Sequence, residues 1–336
     1  MGATAGTERR DCSRLAGHGR ARNRPDRRSV TALHPTLLAA AGSPLTYFQA
    51  VVLGVLQGVT ELFPVSSLGH TVLFPTLFGW TGLVKAQSTS ESFWLAFVVM
   101  LHVGSALGLL AYYWREWLAI IAAFLRTLAN RRITTPTERL AWLLIAASIP
   151  TGILGLAFEH QLRTLTAKPE LASIFLVVNG CLLFGAELAR RRAAVRELAI
   201  REGAKADGGR ELDTLETREA VVIGIAQSSA LVAGISRDGV CMGTGLARGL
   251  DHSDAARFAF LLATPIILAA GLFKLPDLTG PLGNGVRGQA LVACATAAVA
   301  ALITVRFLVR WFTTRTLTPF AVYCLLFGLA MVIYNS

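Results

Sequence analysis

Residues 50–70 read AVVLGVLQGVTELFPVSSLGH, and the placement of this stretch decides the fold. It begins as an apolar run fit for a bilayer. From Gln57 onward it carries a glutamate, two serines, a histidine and a helix-breaking proline. It also has a counterpart. AVVIGIAQ at Ala220–Gln227 repeats AVVLGVLQ at Ala50–Gln57, an offset of 170 residues. Continued without a gap, Ser66 falls on Ser236, Ser67 on Arg237 and Gly69 on Gly239. Apolar segments resemble one another by chance, but the aligned pairs Gly54/Gly224, Gln57/Gln227 and Ser66/Ser236 mark an internal repeat.

The surrounding chain is that of a membrane protein. Of 336 residues, 53% are hydrophobic and 16% charged, and the mean hydropathy is +0.53. Six apolar runs reach the roughly 20 residues that cross a bilayer as a helix. They lie at 93–114, 140–158, 171–189, 254–274, 288–309 and 317–335. No ten-residue alternation points to a barrel, so the expected class is all-α and polytopic. The net charge of +11 would raise nucleic acid as a partner in a soluble chain. Here the arginines sit between apolar runs and read as topology, so no nucleic acid is expected. Segments 115–139, 190–218, 248–257 and 306–316 hold five, eight, two and three Lys/Arg. Segments 81–92, 159–170 and 274–287 hold one, two and two, which assigns the first set to the cytoplasm and the second outside. Five scattered cysteines, with no CxxC, read as apolar filler.

Residues 1–42, with eight arginines and no apolar period, read as a disordered tail or a start assigned too far upstream. Residues 43–189 form the first repeat, 190–218 a polar cytoplasmic linker and 219–336 the second repeat. Each repeat opens on a broken apolar region, 46–80 and 219–250, read as re-entrant. Three full spans then follow in each half. An odd number inverts the second half, so the two re-entrant tips meet near the midplane, where sites form in such folds.

The first tip holds Gln57, Glu61, Ser66, Ser67 and His70. Gln57 and Glu61 share a helix face. Pro64 ends that helix, leaving Val65–Gly69 irregular and His70 opening the next element. A carboxylate at membrane depth costs several kcal/mol unless it is paired, metal-bound or hydrated. The bland reading of Glu61 is a structural polar residue satisfied by its neighbours. The second tip, AGISRDG at Ala233–Gly239, sets Ser236 and Arg237 between Gly234 and Gly239. A glycine-bounded turn offers backbone N–H groups, and an arginine fork suits a phosphate. Its bland reading is an ion pair of Arg237 with Asp238 or Glu61. Together the tips supply a hydroxyl, a base, a carboxylate and a guanidinium, the parts of phosphoryl chemistry. His102 and Ser105, inside the first full span, are weighed equally as cavity lining or helix packing. Gly104 and Gly108 read as a packing face. Glu159 and His160 read as a solvated span end.

Residues 57–70 closely resemble the first signature of the bacterial undecaprenyl-diphosphate phosphatase family of the bacitracin-resistance type. Residues 233–239 resemble its second, and the similarity runs from about residue 45 to 335. The resemblance implies an integral membrane hydrolase of the bacterial cell membrane, with an inverted repeat and a pocket open to the extracytoplasmic side. It implies removal of the terminal phosphate of undecaprenyl diphosphate, which recycles the lipid carrier for peptidoglycan synthesis and confers bacitracin resistance. It implies Glu61, Ser67, His70 and Arg237 as catalytic, and Ser66, Gly234, Ser236, Arg237 and Gly239 as substrate-binding. A divalent cation, Mg²⁺ or Ca²⁺, is implied at Glu61 and Gln57. The partners implied are the membrane and its polyprenyl diphosphate lipid; a homodimer stays open. Gln57 stands where the family more often has glutamate, and Leu68, Ala233 and Asp238 where it has threonine, proline and serine. Two rival readings remain: a polyprenyl-phosphate transporter or flippase, and a catalytically impaired lipid-diphosphate-binding paralogue.

Overall fold

The computed structural model describes residues 45–88, 93–158, 168–200 and 210–336. The tail at 1–42 and the span end at Glu159–His160 lie outside the described residues. Twelve α-helices occur among the described residues. They are α1 (Tyr47–Thr60), α2 (Ser67–Leu77), α3 (Thr81–Ser88), α4 (Phe93–Tyr112), α5 (Trp114–Asn130) and α6 (Pro136–Ala157). The remaining six are α7 (Pro169–Ile200), α8 (Thr217–Gln227), α9 (Arg237–Ala247), α10 (His252–Thr279), α11 (Arg287–Trp311) and α12 (Thr318–Asn335). No strand forms among the described residues; one isolated bridge joins Arg210 to Leu250. The chain is all-helical, and α4, α6, α7, α10, α11 and α12 are long and apolar enough to cross a membrane. Each covers one of the six runs read from the sequence.

Three segments depart from the sequence reading. The stretch after residue 114, read as a basic loop, is mostly the helix α5. Its buried face is Ile120, Ala123 and Thr127, while Trp114, Leu118, Ile121, Leu125 and Leu128 form an exposed stripe at helical spacing. The helix is amphipathic rather than uniformly apolar, so a span-length hydropathy reading passes over it. Its first turn is tied to α10 by Glu116–Arg257 at 2.6 Å, and its C-terminal half to α6 by Arg126–Glu138 at 3.7 Å. Secondly, α7 runs on to Ile200, past residue 190 where the linker was expected to begin. Thirdly, the helical break in the first tip lies earlier than expected. Pro64 has no N–H to bond the Thr60 carbonyl, so α1 ends at Thr60, and 61–66 are the irregular residues. The next helix opens at Ser67, not at His70.

Close helix approach brings the short helices in. Within lipid, helices associate by packing and hydrogen bonding rather than by exclusion of water, which favours small residues at contacts. A Cβ on Gly54 would overlap Thr296 and the Ala293 carbonyl on α11. A Cβ on Gly224, its partner in the repeat, would overlap the Ala147 carbonyl on α6. Gly104 and Gly108 seat α4 against the α11 backbone in the same way, the packing role read for them. The aligned glycines of the two halves thus do one job against two different neighbours.

Candidate active site

The two broken stretches meet. Helix α2 opens on an N-cap at Ser66, whose hydroxyl accepts the Gly69 N–H at 3.2 Å. Helix α9 opens on an N-cap at Ser236, whose hydroxyl accepts the Gly239 N–H at 3.1 Å. The serine–glycine pairs aligned across 170 residues therefore form the same cap twice, each satisfying a donor that the first helical turn leaves free. Ser66 Oγ also accepts the Gly234 N–H at 3.1 Å, which joins one tip to the other. Ser66 holds φ +69° and Gly234 φ +102°, the left-handed region that glycine enters freely and serine does not. Asn179, on α7, completes the junction. It donates to the Pro64 carbonyl at 3.0 Å and accepts the Ser236 N–H at 2.9 Å.

Glu61 sits at the junction and is 7% exposed. Its Oε1 accepts from Arg237 at 2.8 Å. Its Oε2 accepts from Gln57 Nε2 at 2.9 Å and from the Ser67 hydroxyl. His102 brings Nε2 to 3.4 Å from the same oxygen and 3.5 Å from Ser67 Oγ. The other ring nitrogen of His102 lies 2.8 Å from the Val98 carbonyl, which only accepts, so Nδ1 carries the proton. The facing Nε2 carries the lone pair in this tautomer and lies beside both Ser67 Oγ and Glu61 Oε2. Of the two readings weighed for His102, the geometry gives the site.

Other polar atoms at the junction lack partners. Arg237 Nη1, Gln57 Oε1 and both carboxylate oxygens of Asp238 are buried and make no hydrogen bond. Asp238 Oδ1 approaches the Arg237 guanidinium at 3.2 Å, but outside hydrogen-bonding alignment. Native interiors satisfy nearly all such groups, so a cluster of them at one place needs an explanation. Both helices that open here, α2 at Ser67 and α9 at Arg237, also aim the positive end of their dipoles at this place. Among the described residues no three His, Cys, Asp or Glu side chains form a metal-binding group.

Several expected roles change. Gly234 and Gly239 were read as offering free N–H groups to phosphate, but both N–H groups are taken, by Ser66 and Ser236. The Ser66 and Ser236 hydroxyls accept cap N–H groups, which leaves the O–H of each as a donor. His70 was read as the base beside Ser67. Its Nδ1 instead bonds the Ser66 carbonyl at 2.7 Å, and its Nε2 bonds the Tyr323 hydroxyl at 2.8 Å. The ring stacks against Tyr323 and Phe327 of α12, and neither nitrogen is left over for Ser67. Asn179 and Tyr323 were missed. Asn179 did leave a trace, as a lone amide inside an otherwise apolar span. Tyr323 left none, because tyrosine is ordinary in a membrane helix.

Known proteins carry the same arrangement of sequence. Residues 50–330 match the family described as bacitracin resistance protein BacA. An undecaprenyl-diphosphatase 2 from Frankia alni is 51% identical over 330 residues, covering 84% of this chain and 96% of the relative. An undecaprenyl-diphosphatase from Mycolicibacterium paratuberculosis is 50% identical over 298 residues, covering 86% and 97%. One from Acidiphilium cryptum is 41% identical over 289 residues, covering 84% and 96%. With two broken helices meeting at a buried glutamate and its arginine partner, and with these matches along most of its length, the chain belongs to the bacitracin resistance protein BacA family.

Proposed function

We propose that this chain is a multi-pass hydrolase of the bacterial plasma membrane that removes the terminal phosphate of undecaprenyl diphosphate. The product is the monophosphate lipid carrier for peptidoglycan synthesis, and its renewal confers bacitracin resistance. The observation that carries this reading is Arg237. Its side chain is 14% exposed at a junction of two helix N-termini, and its Nη1 is buried and unpartnered. A donor left without an acceptor in a water-poor site costs about 1–3 kcal/mol, and a phosphate oxygen would remove that cost. The polyprenyl tail stays among the helices in lipid, with the head group at the junction, and α1–α2 and α8–α9 enter the bilayer as re-entrant pairs from opposite faces. The site opens to the extracytoplasmic side.

In this reading Arg237 and the two helix N-termini hold the phosphates. Ser67 Oγ attacks the terminal phosphorus, and the bond from that phosphorus to the bridging oxygen breaks, releasing the lipid monophosphate. The Ser67 proton passes to Glu61 Oε2, which already accepts its hydrogen bond, with His102 beside both groups. Water then attacks the phosphoserine and releases inorganic phosphate, with the proton returned to Ser67. Attack by water in place of Ser67 gives the same products. His70 acts through the Ser66 carbonyl and Tyr323, holding the turn from which Ser67 projects.

A divalent cation fits the site in part. Glu61 already accepts hydrogen bonds at both oxygens, but Gln57 Oε1 is a hard oxygen donor with no partner, the type Mg²⁺ and Ca²⁺ take. Gln57, with Glu61, would hold it, and the ion would offset charge on the phosphate oxygens.

The test is phosphate release from undecaprenyl diphosphate by purified protein in detergent, where no sidedness exists for a transporter to use. Release by the wild type that is lost in Arg237→Ala supports the reading. No release from folded wild type would overturn it in favour of a lipid-phosphate carrier.

A further inference from the structure

The face of α2 that carries Ser67 continues away from the junction as a run of rings. Ser67, Phe74 and Phe78 stand at i, i+7 and i+11, on one side of the helix. His70 lies at the edge of that side. Its ring centroid is 5.9 Å from that of Phe74, and Phe74 is 5.4 Å from Phe78. Gly79 then closes the helix at φ +66°. Its N–H bonds the Thr76 carbonyl at 3.2 Å, and the Trp80 N–H bonds the Pro75 carbonyl at 2.8 Å. This left-handed closure is one that glycine adopts without strain. It folds Trp80 back until its ring is 5.2 Å from Phe78. Helix α12 adds a second row, Tyr323 and Phe327, one turn apart. They lie 5.7 and 5.3 Å from His70, and Phe327 is 6.2 Å from Phe74. All these spacings fall in the range of attractive ring contacts.

Six rings thus form one path from the turn that holds Ser67 to the end of α2. The path is not closed over. Tyr323 is 40% exposed beside His70, Phe78 is 50% exposed at the far end, and Phe74 and Phe327 are partly exposed between them. Lipid tails are as apolar as a side chain, so a single ring facing lipid needs no cause. Continuity with the face of the nucleophile does. A lipid with its phosphates at the junction must lead its tail out along a surface that begins there. The path does so, and it ends at Trp80, beside the segment 81–92 read as outside. An isoprene unit carries a flat, methyl-branched double bond. It can lie on a ring face with a polarisable contact that a puckered saturated chain does not match.

We propose that this aromatic path seats the first isoprene units of the lipid tail, and that Phe74, Phe78 and Phe327 make the protein select an unsaturated polyprenyl chain over a saturated one. The proposal rests on the phosphatase reading only for the place of the head group. The binding itself needs no hydrolysis.

The experiment is competition binding to the full-length protein in phosphatidylcholine nanodiscs. The probe is a polyprenyl phosphate with a photoreactive diazirine near its second isoprene unit. The competitors are undecaprenyl phosphate and the same lipid fully hydrogenated. In wild type the crosslinks should fall within residues 74–80 and 323–327. Undecaprenyl phosphate should compete about ten-fold better than the hydrogenated lipid. Phe74→Leu combined with Phe78→Leu keeps apolar bulk and removes the rings, and should bring the two competitors to about the same affinity. Phe184→Leu, which removes an exposed ring on α7 outside the path, should leave the preference as it is. Helicity and the unfolding temperature establish that each variant is folded. Should the double variant fail to fold, Phe78→Leu alone decides the matter, because half of that side chain is already exposed. Crosslinks elsewhere, equal competition in wild type, a preference that survives loss of the rings, the same loss in Phe184→Leu, or no displaceable crosslink in wild type would each overturn the inference. Phosphate release from undecaprenyl diphosphate, measured separately on wild type, judges the phosphatase reading. A chain that binds with this preference but releases no phosphate keeps the tail seat and loses the reaction, so the two failures are distinguishable.

Discussion

Replacing Ser66 by alanine tests whether one hydroxyl locks the two tips together. Ser66 Oγ accepts two backbone N–H groups, from Gly69 at 3.2 Å and from Gly234 at 3.1 Å. Alanine removes both partners at once. Loss of a helix N-cap costs about 1 kcal/mol. Stranding a second buried N–H adds about 1–3 kcal/mol. Side-chain hydrogen bonds between membrane helices often measure less, averaging about 0.6 kcal/mol, because the unfolded chain in lipid finds other partners. Here the donors are backbone groups at a helix break with no other acceptor, so a total of about 2–3 kcal/mol is expected. At about 2–4 °C per kcal/mol for a larger chain, the unfolding temperature should fall by roughly 4–12 °C. A second variant separates cap from strain. Ser66 sits at φ +69°, so glycine removes the same hydroxyl but also removes a strained backbone residue. Ser66→Gly should therefore recover about 1 kcal/mol relative to Ser66→Ala. The assay is thermal unfolding of purified protein in detergent, paired with phosphate release. An alanine variant that melts with the wild type, or a glycine variant less stable than alanine, would refute the two-bond argument.

Arg237→Ala should abolish phosphate release, on the order of a hundred-fold or more. Arg237→Lys should restore only a minor part, because an ammonium cannot reproduce the fork; full activity in the lysine variant would count against a bidentate clamp. His102→Ala should lower the turnover number by about a hundred-fold with little change in stability. His70→Gln should lower stability and activity together, since His70 acts through the Ser66 turn. A His70 variant as stable as wild type yet inactive would return the proton-transfer role to that residue. Gly224→Ala should destabilise the protein by about 1–3 kcal/mol, since its Cβ meets the backbone carbonyl of Ala147 rather than a movable side chain. Unchanged unfolding would show that α6 and α8 can separate without cost.

What the sequence made legible was what depends on composition and period. The six long helices follow from apolar length alone. The pairing of Gly54 with Gly224 and of Ser66 with Ser236 was readable because the same local job recurs at a fixed offset. The meeting of Glu61 with Arg237 was foreseen only as the bland alternative to a ligand role. The structure has both at once: the pair exists, and one guanidinium nitrogen remains unpartnered. Hydrogen-bond direction was not legible. Sequence places a serine and a glycine near a break, but not whether the N–H is offered outward or folded back onto a cap. The histidines show the same limit. Ser67 and His70 are three positions apart, yet the ring is claimed by Tyr323, 253 positions later in the chain. His102, 35 positions from Ser67, faces it. The helix α5 escaped because its apolar residues lie on one stripe and its arginines raise the average polarity of the segment.

The lock between the tips has a consequence for biogenesis. Glu61 and Arg237 are 176 positions apart, with three of the long apolar helices between them. At ribosomal speeds of about 5–20 residues per second, the glutamate emerges on the order of ten to thirty seconds before its arginine exists. Through that interval Glu61 has Gln57, Ser67 and His102 of the first half beside it but not its arginine. The first half of this protein is thus a nascent client that stays incomplete until the second half supplies its counter-charge. A chain truncated before Arg237 should be held by the quality-control proteases rather than accumulate in the membrane.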